Sequence, residues 1–396
     1  MNATAKKLVA GLMALAMGAS LAACGTDVAP AGNAPTQESN NEAPADNKGG
    51  DKTVGIAMPT KSLERWNRDG EYLKQQFEDA GYKVELKYSD NKTDQQNNDI
   101  QGMIADGVSL LLIAAIDGST LSQTLDDAKA QNIPVIAYDR LIMNTDAASY
   151  YVSFDNYTVG KLQGEFVKKQ LDLDNAEGPY NIEFTAGDPA DNNAGYFFNG
   201  AYDALKSYID SGKLVIPSGK KTFEQVATPS WSTDTAFENM QNTLASFYAK
   251  GEILDVALCS NDSTALGVAK AITTDYAGGN TPIVTGQDGD IANLRNIVDG
   301  IQTMTVYKNV NDEAAATLAV AKSILSGETP DEGLVSSLGA DATYDVESYN
   351  NGVKVVPSYL LVPYVITKND LQKLVDTGLY KWDSDNKYLE STAETT

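Results

Sequence analysis

From Thr53 onward the chain alternates two textures, and this alternation limits the folds open to it more than any other feature. Short β-branched or aliphatic runs, "TVGIAM", "KVELKY", "LLLIAAI", "PVIAYD", "NIEFTAG", "DVALCS" and "PIVTGQD", read as strands. Between them lie stretches with helical spacing, among them "RDGEYLKQQFEDAG", "STLSQTLDDAKAQN" and "NYTVGKLQGEFVKKQL", several closed by a glycine in the C-cap place. Strand, helix, strand, helix predicts an α/β fold of doubly wound parallel sheets with helices on both faces. The near-continuous apolar strands fit sheets covered on both sides. At 396 residues there is material for two such units.

The first 51 residues read differently. "MNATAKK" is a short basic region and "LVAGLMALAMGASL" an apolar run too short to span a bilayer, the pattern of a signal peptide over residues 1–23. It ends in "LAAC", Leu21 to Cys24, which resembles a bacterial lipobox and implies lipidation at Cys24. Residues 24–51 are rich in Ala, Pro, Asn, Gly and acids and are expected to form a disordered tether. The implied location is extracytoplasmic, anchored to the cell membrane by lipid. With Cys24 lipidated, only Cys259 remains, so no intramolecular disulfide is expected. In the run "VALC" it reads as a core residue.

Several classes of function drop out on composition. A net charge of −24 opposes nucleic-acid binding, which needs clustered Lys and Arg. The absence of histidine removes His-based acid–base chemistry, Ser-His-Asp arrangements and His-ligated metals. There is no P-loop and no G-x-S-x-G elbow. "DNKTDQQNNDIQ", Asp90 to Gln101, lacks the glycine and terminal glutamate of a calcium loop, so no metal and no cofactor are expected.

Ligands of doubly wound sheets sit beyond the carboxyl ends of the strands. Reading those positions gives Arg65 and Trp66, Asp139 and Arg140, the stretch "GDPADNNA", Asn261 and Asp262, and Gln287 and Asp288. Planar, bidentate hydrogen-bonding groups with aromatic company suit a neutral sugar. Its hydroxyls donate to carboxylates and accept from guanidinium or amide groups, while its C–H faces lie on aromatic rings. The competing readings are core aromatics for Trp66 and Trp231, a structural ion pair for Asp139 with Arg140, and a surface side chain for Lys308. Glu64 reads as a solvated residue of the first helical turn.

The ordered motifs "LERW", "LLLIAAIDGSTLSQTL", "IPVIAYDRLI", "YVSFDNYTVGKLQG", "DPADNNA", "SNDSTALG", "IVTGQD", "QTMTVYKN" and "NGVKVVPSYLL" resemble the sugar-binding periplasmic receptors of ABC transporters, of the ribose/galactose/xylose type. The resemblance runs from about Val54 into the C-terminal region. It implies two lobes joined by three crossovers (a type I periplasmic binding protein), which we place at 52–156 plus 308–355 and at 157–307 plus 356–396. It also implies a ligand set: Arg65, Trp66, Asp139 and Arg140 from one lobe, Asn193, Trp231, Asn261 and Asp288 from the other, and Lys308 near a crossover. The implied function is non-enzymatic: capture of a monosaccharide by hinge closure and delivery to an ABC permease served by a separate ATPase, by a monomer. A sugar-sensing receptor for a chemotaxis or two-component partner uses the same fold and cleft and stays open as the alternative.

Overall fold

The computed structural model describes residues 52–392; the signal peptide, Cys24 and the tether lie outside them. The chain opens with β1 (Thr53–Met58), α1 (Glu64–Asp79), β2 (Lys83–Tyr88), α2 (Thr93–Ala105), β3 (Leu110–Ile113), α3 (Ser122–Ala130), β4 (Val135–Tyr138) and β5 (Ala148–Phe154). It continues through α4 (Asn156–Gln170), β6 (Tyr180–Thr185), α5 (Asn192–Asp210), β7 (Leu214–Val215), α6 (Phe223–Val226), α7 (Thr233–Phe247), β8 (Val256–Cys259), α8 (Asp262–Asp275), β9 (Ile283–Val284), α9 (Ile291–Asp299) and β10 (Thr305–Tyr307). It closes with α10 (Val310–Leu325), β11 (Ala342–Asp345), β12 (Ser358–Leu361), β13 (Tyr364–Ile366), α11 (Leu371–Asp376), β14 (Tyr380–Trp382) and β15 (Leu389–Ser391).

Two sheets result. The first runs β11-β12-β5-β4-β3-β1-β2, parallel throughout except for β11, which lies antiparallel to β12 at the edge. The second runs β7-β6-β8-β9, all parallel. A bridge from Gln287 to Val306 carries it on to β10, which pairs antiparallel with β13. Each sheet is sandwiched. In the first, Ile56, Leu112, Ile136 and Val152 face one core with Leu73 and Phe77 of α1, while Leu111, Ile113, Val135 and Ala137 face another with Ile100 and Leu125. In the second, Ile182 and Leu258 pack under α5, and Ala257 and Cys259 under α7 and α8. Cys259 is fully buried there, and that burial pushes its thiol up.

The chain passes between the sheets three times: after β5, between β10 and α10, and between β12 and β13. The last passage follows Ser358–Leu361, which is wholly buried and pairs in parallel with β5, Ser358 opposite Tyr151, a few residues beyond the expected boundary at 355/356. Beneath the first passage α4 lies hard against α5. A Cβ on Gly160 would stand 1.9 Å from the Phe197 carbonyl oxygen, so only glycine permits this approach. That contact sets where α5 begins, and α5 begins at the cleft.

Candidate functional site

Between the lobes lies a cleft with about 370 Å³ of atom-free space, part of it open to solvent. The strand ends supply its walls. Arg65 and Trp66 arrive on the first turn of α1, Asp139 and Arg140 directly after β4, Asn261 after β8, Gln287 and Asp288 after β9, and Lys308 after β10. Trp231 comes from the short turn before α7, and Leu63, Asp191, Phe197 and Ser263 complete the lining. Of the nine side chains expected to meet a ligand, eight line this cavity.

Asn193 does not. Its Nδ2 donates to the Asp139 carbonyl at 2.7 Å and its Oδ1 accepts from the Tyr151 hydroxyl at 3.1 Å, so both ends of the amide are spent. Two residues earlier, Asp191 takes the place at the wall. One of its oxygens accepts from the Asn193 backbone as the cap of α5. The other lies 3.0 Å from Arg140 Nε and accepts from Trp231 Nε1 at 3.2 Å. An aspartate in "PADNNA" is a cap by local signature; its second role needs the other lobe and leaves no mark in sequence. Asn261 also caps a helix, its Oδ1 accepting from the Thr264 amide at 3.0 Å. Its Nδ2 has no partner among the described residues.

The backbone under the site is strained. Asp139 (φ 58°), Trp231 (φ 54°) and Asp288 (φ 104°) all hold positive φ, a conformation that costs a non-glycine residue about 1–3 kcal/mol. At Asp139 the restraint is visible: its carbonyl accepts from Tyr151 at 2.7 Å, Ser153 at 2.9 Å and Asn193. At Trp231 it is the floor, because a Cβ on Gly187 would fall within 1.9 Å of the indole. The missing side chain lets the ring lie flat on the backbone.

Charge organises the rest. Arg65 donates through Nε to Asp69 at 3.1 Å, through Nη2 to Asp139 at 2.5 Å and Glu313 at 3.3 Å, and through Nη1 to Asp288 at 3.4 Å. Lys308 reaches Asp139 at 3.3 Å and Asp288 at 3.5 Å. Arg140 Nη1 donates to the Ala115 carbonyl at 3.1 Å. The Trp66 ring centroid lies 4.9 Å from the Arg65 guanidinium and 5.0 Å from that of Arg140, both within cation–π range. Burial alone would raise the Asp139 carboxyl, but Arg65, Lys308 and Arg140 outweigh it and hold it at about 2. Asp139 is therefore an acceptor only. Asp69 and Glu313 behind Arg65 go the other way, raised by burial more than their neighbouring cations lower them. Among the described residues no group of three or more His, Cys, Asp or Glu is set to hold a metal ion.

Burial likewise raises Asp290, and it pushes Asp262 up to about 8. These acids take up protons on folding, so their contribution is complete below the ordinary carboxylate range and is lost as pH rises through the folded value. Asp139 has the opposite sign and matters only in acid, as pH falls towards 2. The expected result is a protein less stable at pH 8 than at pH 5 by about 2–4 kcal/mol, at up to 1.4 kcal/mol per pH unit for each group. Thermal unfolding across this range checks it, and Asp262→Asn is expected to flatten the slope. A level profile in the unaltered chain would mean that these carboxyls ionise normally.

Comparisons with known proteins show the family. Residues 54–329 match the model of the periplasmic binding protein domain. The multiple sugar-binding periplasmic receptor ChvE of Rhizobium radiobacter is 41% identical over 335 residues, 84% of this chain and 91% of that one. The D-xylose-binding periplasmic protein of Escherichia coli is 34% identical, over 83% and 91%. Among solved structures, an ABC transporter solute binding protein from Clostridium phytofermentans with bound β-D-glucose superposes with a TM-score of 0.79 at 47% identity, covering 85% of this chain and 99% of that one. With the match spanning well over half its length, the chain belongs to the family of periplasmic binding proteins.

Proposed function

We propose that this protein is an extracytoplasmic receptor that captures a monosaccharide in its pyranose form and hands it to an ABC permease powered by a separate ATPase. The observation that carries the reading is the cavity itself. Two indoles, Trp66 from one lobe and Trp231 from the other, flank a set of acids and cations that can accept from and donate to every hydroxyl of a neutral ring. Asp139, Asp191 and Asp288 accept; Arg65, Arg140, Lys308 and the Asn261 amide donate. The longest ion pairs, Arg65 with Asp288 and Lys308 with Asp288, cross from lobe to lobe, where a hydroxyl would bridge them. Binding on one lobe followed by contacts from the other favours the closed state by their differential affinity.

We assign the lobes to 52–156 plus 308–361 and to 157–307 plus 362–396. Cys24 carries the lipid that keeps the monomeric receptor at the membrane, and residues 24–51 give it reach. D-glucose is the first ligand to try, because it occupies the solved neighbour at 47% identity, and D-xylose the second. Calorimetric titration with glucose, xylose, galactose, arabinose, ribose and fructose tests the proposal. Binding at micromolar or lower concentration to one or a few is expected, and silence toward all six would remove the monosaccharide reading.

A further inference from the structure

The cavity uses only one side of the first turns of α1. Arg65, Trp66 and Asp69 point to the sugar side, while Glu64 and Arg68, four residues apart and so on one face, turn to the opposite lobe. Both carboxylate oxygens of Glu64 accept from the backbone amide of Ile291, at 3.3 and 3.2 Å. Ile291 is the first residue of α9, and Asp290 before it makes no side-chain cap bond. A first-lobe carboxylate thus supplies the missing cap, with the sign that favours a helix N-terminus. One turn on, Arg68 donates through Nη2 to the Asp288 carbonyl at 3.0 Å and through Nη1 to the Tyr380 hydroxyl at 2.8 Å. Tyr380 in turn donates to the Gly289 carbonyl at 2.8 Å. The contacts of Glu64 and Arg68 join the two lobes, the Tyr380–Gly289 bond braces their partner within the second, and none of Glu64, Arg68, Ile291 and Tyr380 lines the cavity.

We propose that Glu64 and Arg68 form a clasp between the lobes that holds part of the sugar-free population closed and thereby scales the affinity for every ligand by one common factor. The contacts exist only when the lobes meet, so their free energy bears on the open–closed equilibrium; the one that reaches a cavity residue goes to the Asp288 backbone carbonyl and not to its carboxylate. Apparent affinity follows the fraction of molecules competent to close on the ligand. Removing the clasp lowers that fraction equally for any sugar, whereas altering a cavity side chain changes one sugar relative to another. The guanidinium fork is essential to the second contact, since a lysine cannot reach a hydroxyl and a carbonyl in this geometry at once.

The inference rests on the sugar-receptor reading for half of its test and stands apart from it for the other half. The chain and its variants Glu64→Ala, Arg68→Met and the pair together are titrated with D-glucose and D-xylose, and small-angle scattering is recorded without sugar. For the double variant both affinities are expected to fall by the same roughly 3- to 30-fold, with their ratio kept, and the sugar-free radius of gyration to increase. A changed glucose-to-xylose ratio, unchanged affinities, or a radius of gyration equal to that of the unaltered chain would each overturn the clasp. Failure of the unaltered chain to bind either sugar would count against the sugar reading alone, and the scattering would still decide the clasp.

Discussion

Arg65→Leu is expected to abolish sugar binding and to lower the stability of the chain by about 3–5 kcal/mol, the usual cost of removing one partner from a buried ionic cluster. The reason lies in what Arg65 holds. Asp69, Asp139, Glu313 and Asp288 all direct an oxygen at one guanidinium. Without it, Lys308 is left to serve Asp139 and Asp288, and among the described residues no other cation pairs directly with Asp69 or Glu313. Burial already raises those two carboxyls, and loss of the cation is expected to raise them further. Raised acids stabilise most at low pH, so the deficit relative to the unaltered chain is expected to shrink between pH 8 and pH 5. Urea unfolding at the two pH values reads this directly. An equal deficit at both would mean that the acids keep their charge, and no deficit would mean that the cluster is indifferent to its cation. Arg65→Lys is expected to recover only part of the loss, because an ammonium cannot present Nε, Nη1 and Nη2 to acceptors on different sides.

How far this site was legible in sequence depends on whether its residues announce themselves locally. Arg65, Asp139, Asn261 and Asp288 do, because a doubly wound sheet places strand ends at the cleft and the strands are plain apolar runs. Trp231 follows from the family motif rather than from any strand. Asp191 does not announce itself, since a capping aspartate reads the same whether or not an arginine from the other lobe meets its second oxygen. Asn193, from the same stretch, reads as the more direct hydrogen-bonder, but its amide is turned to the Asp139 carbonyl. Asp69 and Glu313 lie inside helices, where an acid is ordinarily a solvated residue; only the packing of α10 against α1 brings Glu313 to Arg65 across 248 positions of chain. Glu64 likewise looks like a solvated first-turn acid until α9 is placed opposite it. The place where the chain last leaves the first sheet is no plainer, because the pairing of Ser358–Leu361 with β5 is fixed by the three-dimensional path, not by composition.

Trp66→Ala is expected to reduce affinity for the bound sugar by roughly 100- to 1000-fold, on the scale of a buried aromatic anchor in a binding site. The same substitution is expected to cost stability, because this ring has two duties. It is 3% exposed and belongs to the core cluster of the first sheet, yet it also lines the cavity and lies in cation–π range of both Arg65 and Arg140. Deleting a fully enclosed large aromatic costs about 3–5 kcal/mol. Here water from the cavity can enter the space, so a loss nearer the lower figure is expected, together with freer rotation of both guanidiniums. Their disorder adds to the affinity loss, because each must be fixed again when a hydroxyl binds. Trp66→Phe keeps an apolar wall and a cation–π face and is expected to retain most of the stability and part of the affinity. Parallel calorimetry and thermal unfolding on the two variants separate the duties. A chain that loses stability in Trp66→Ala but binds as before would make the ring a core residue alone, and would leave Trp231, lying on Gly187 and held by Asp191, as the only indole against which a sugar ring can pack.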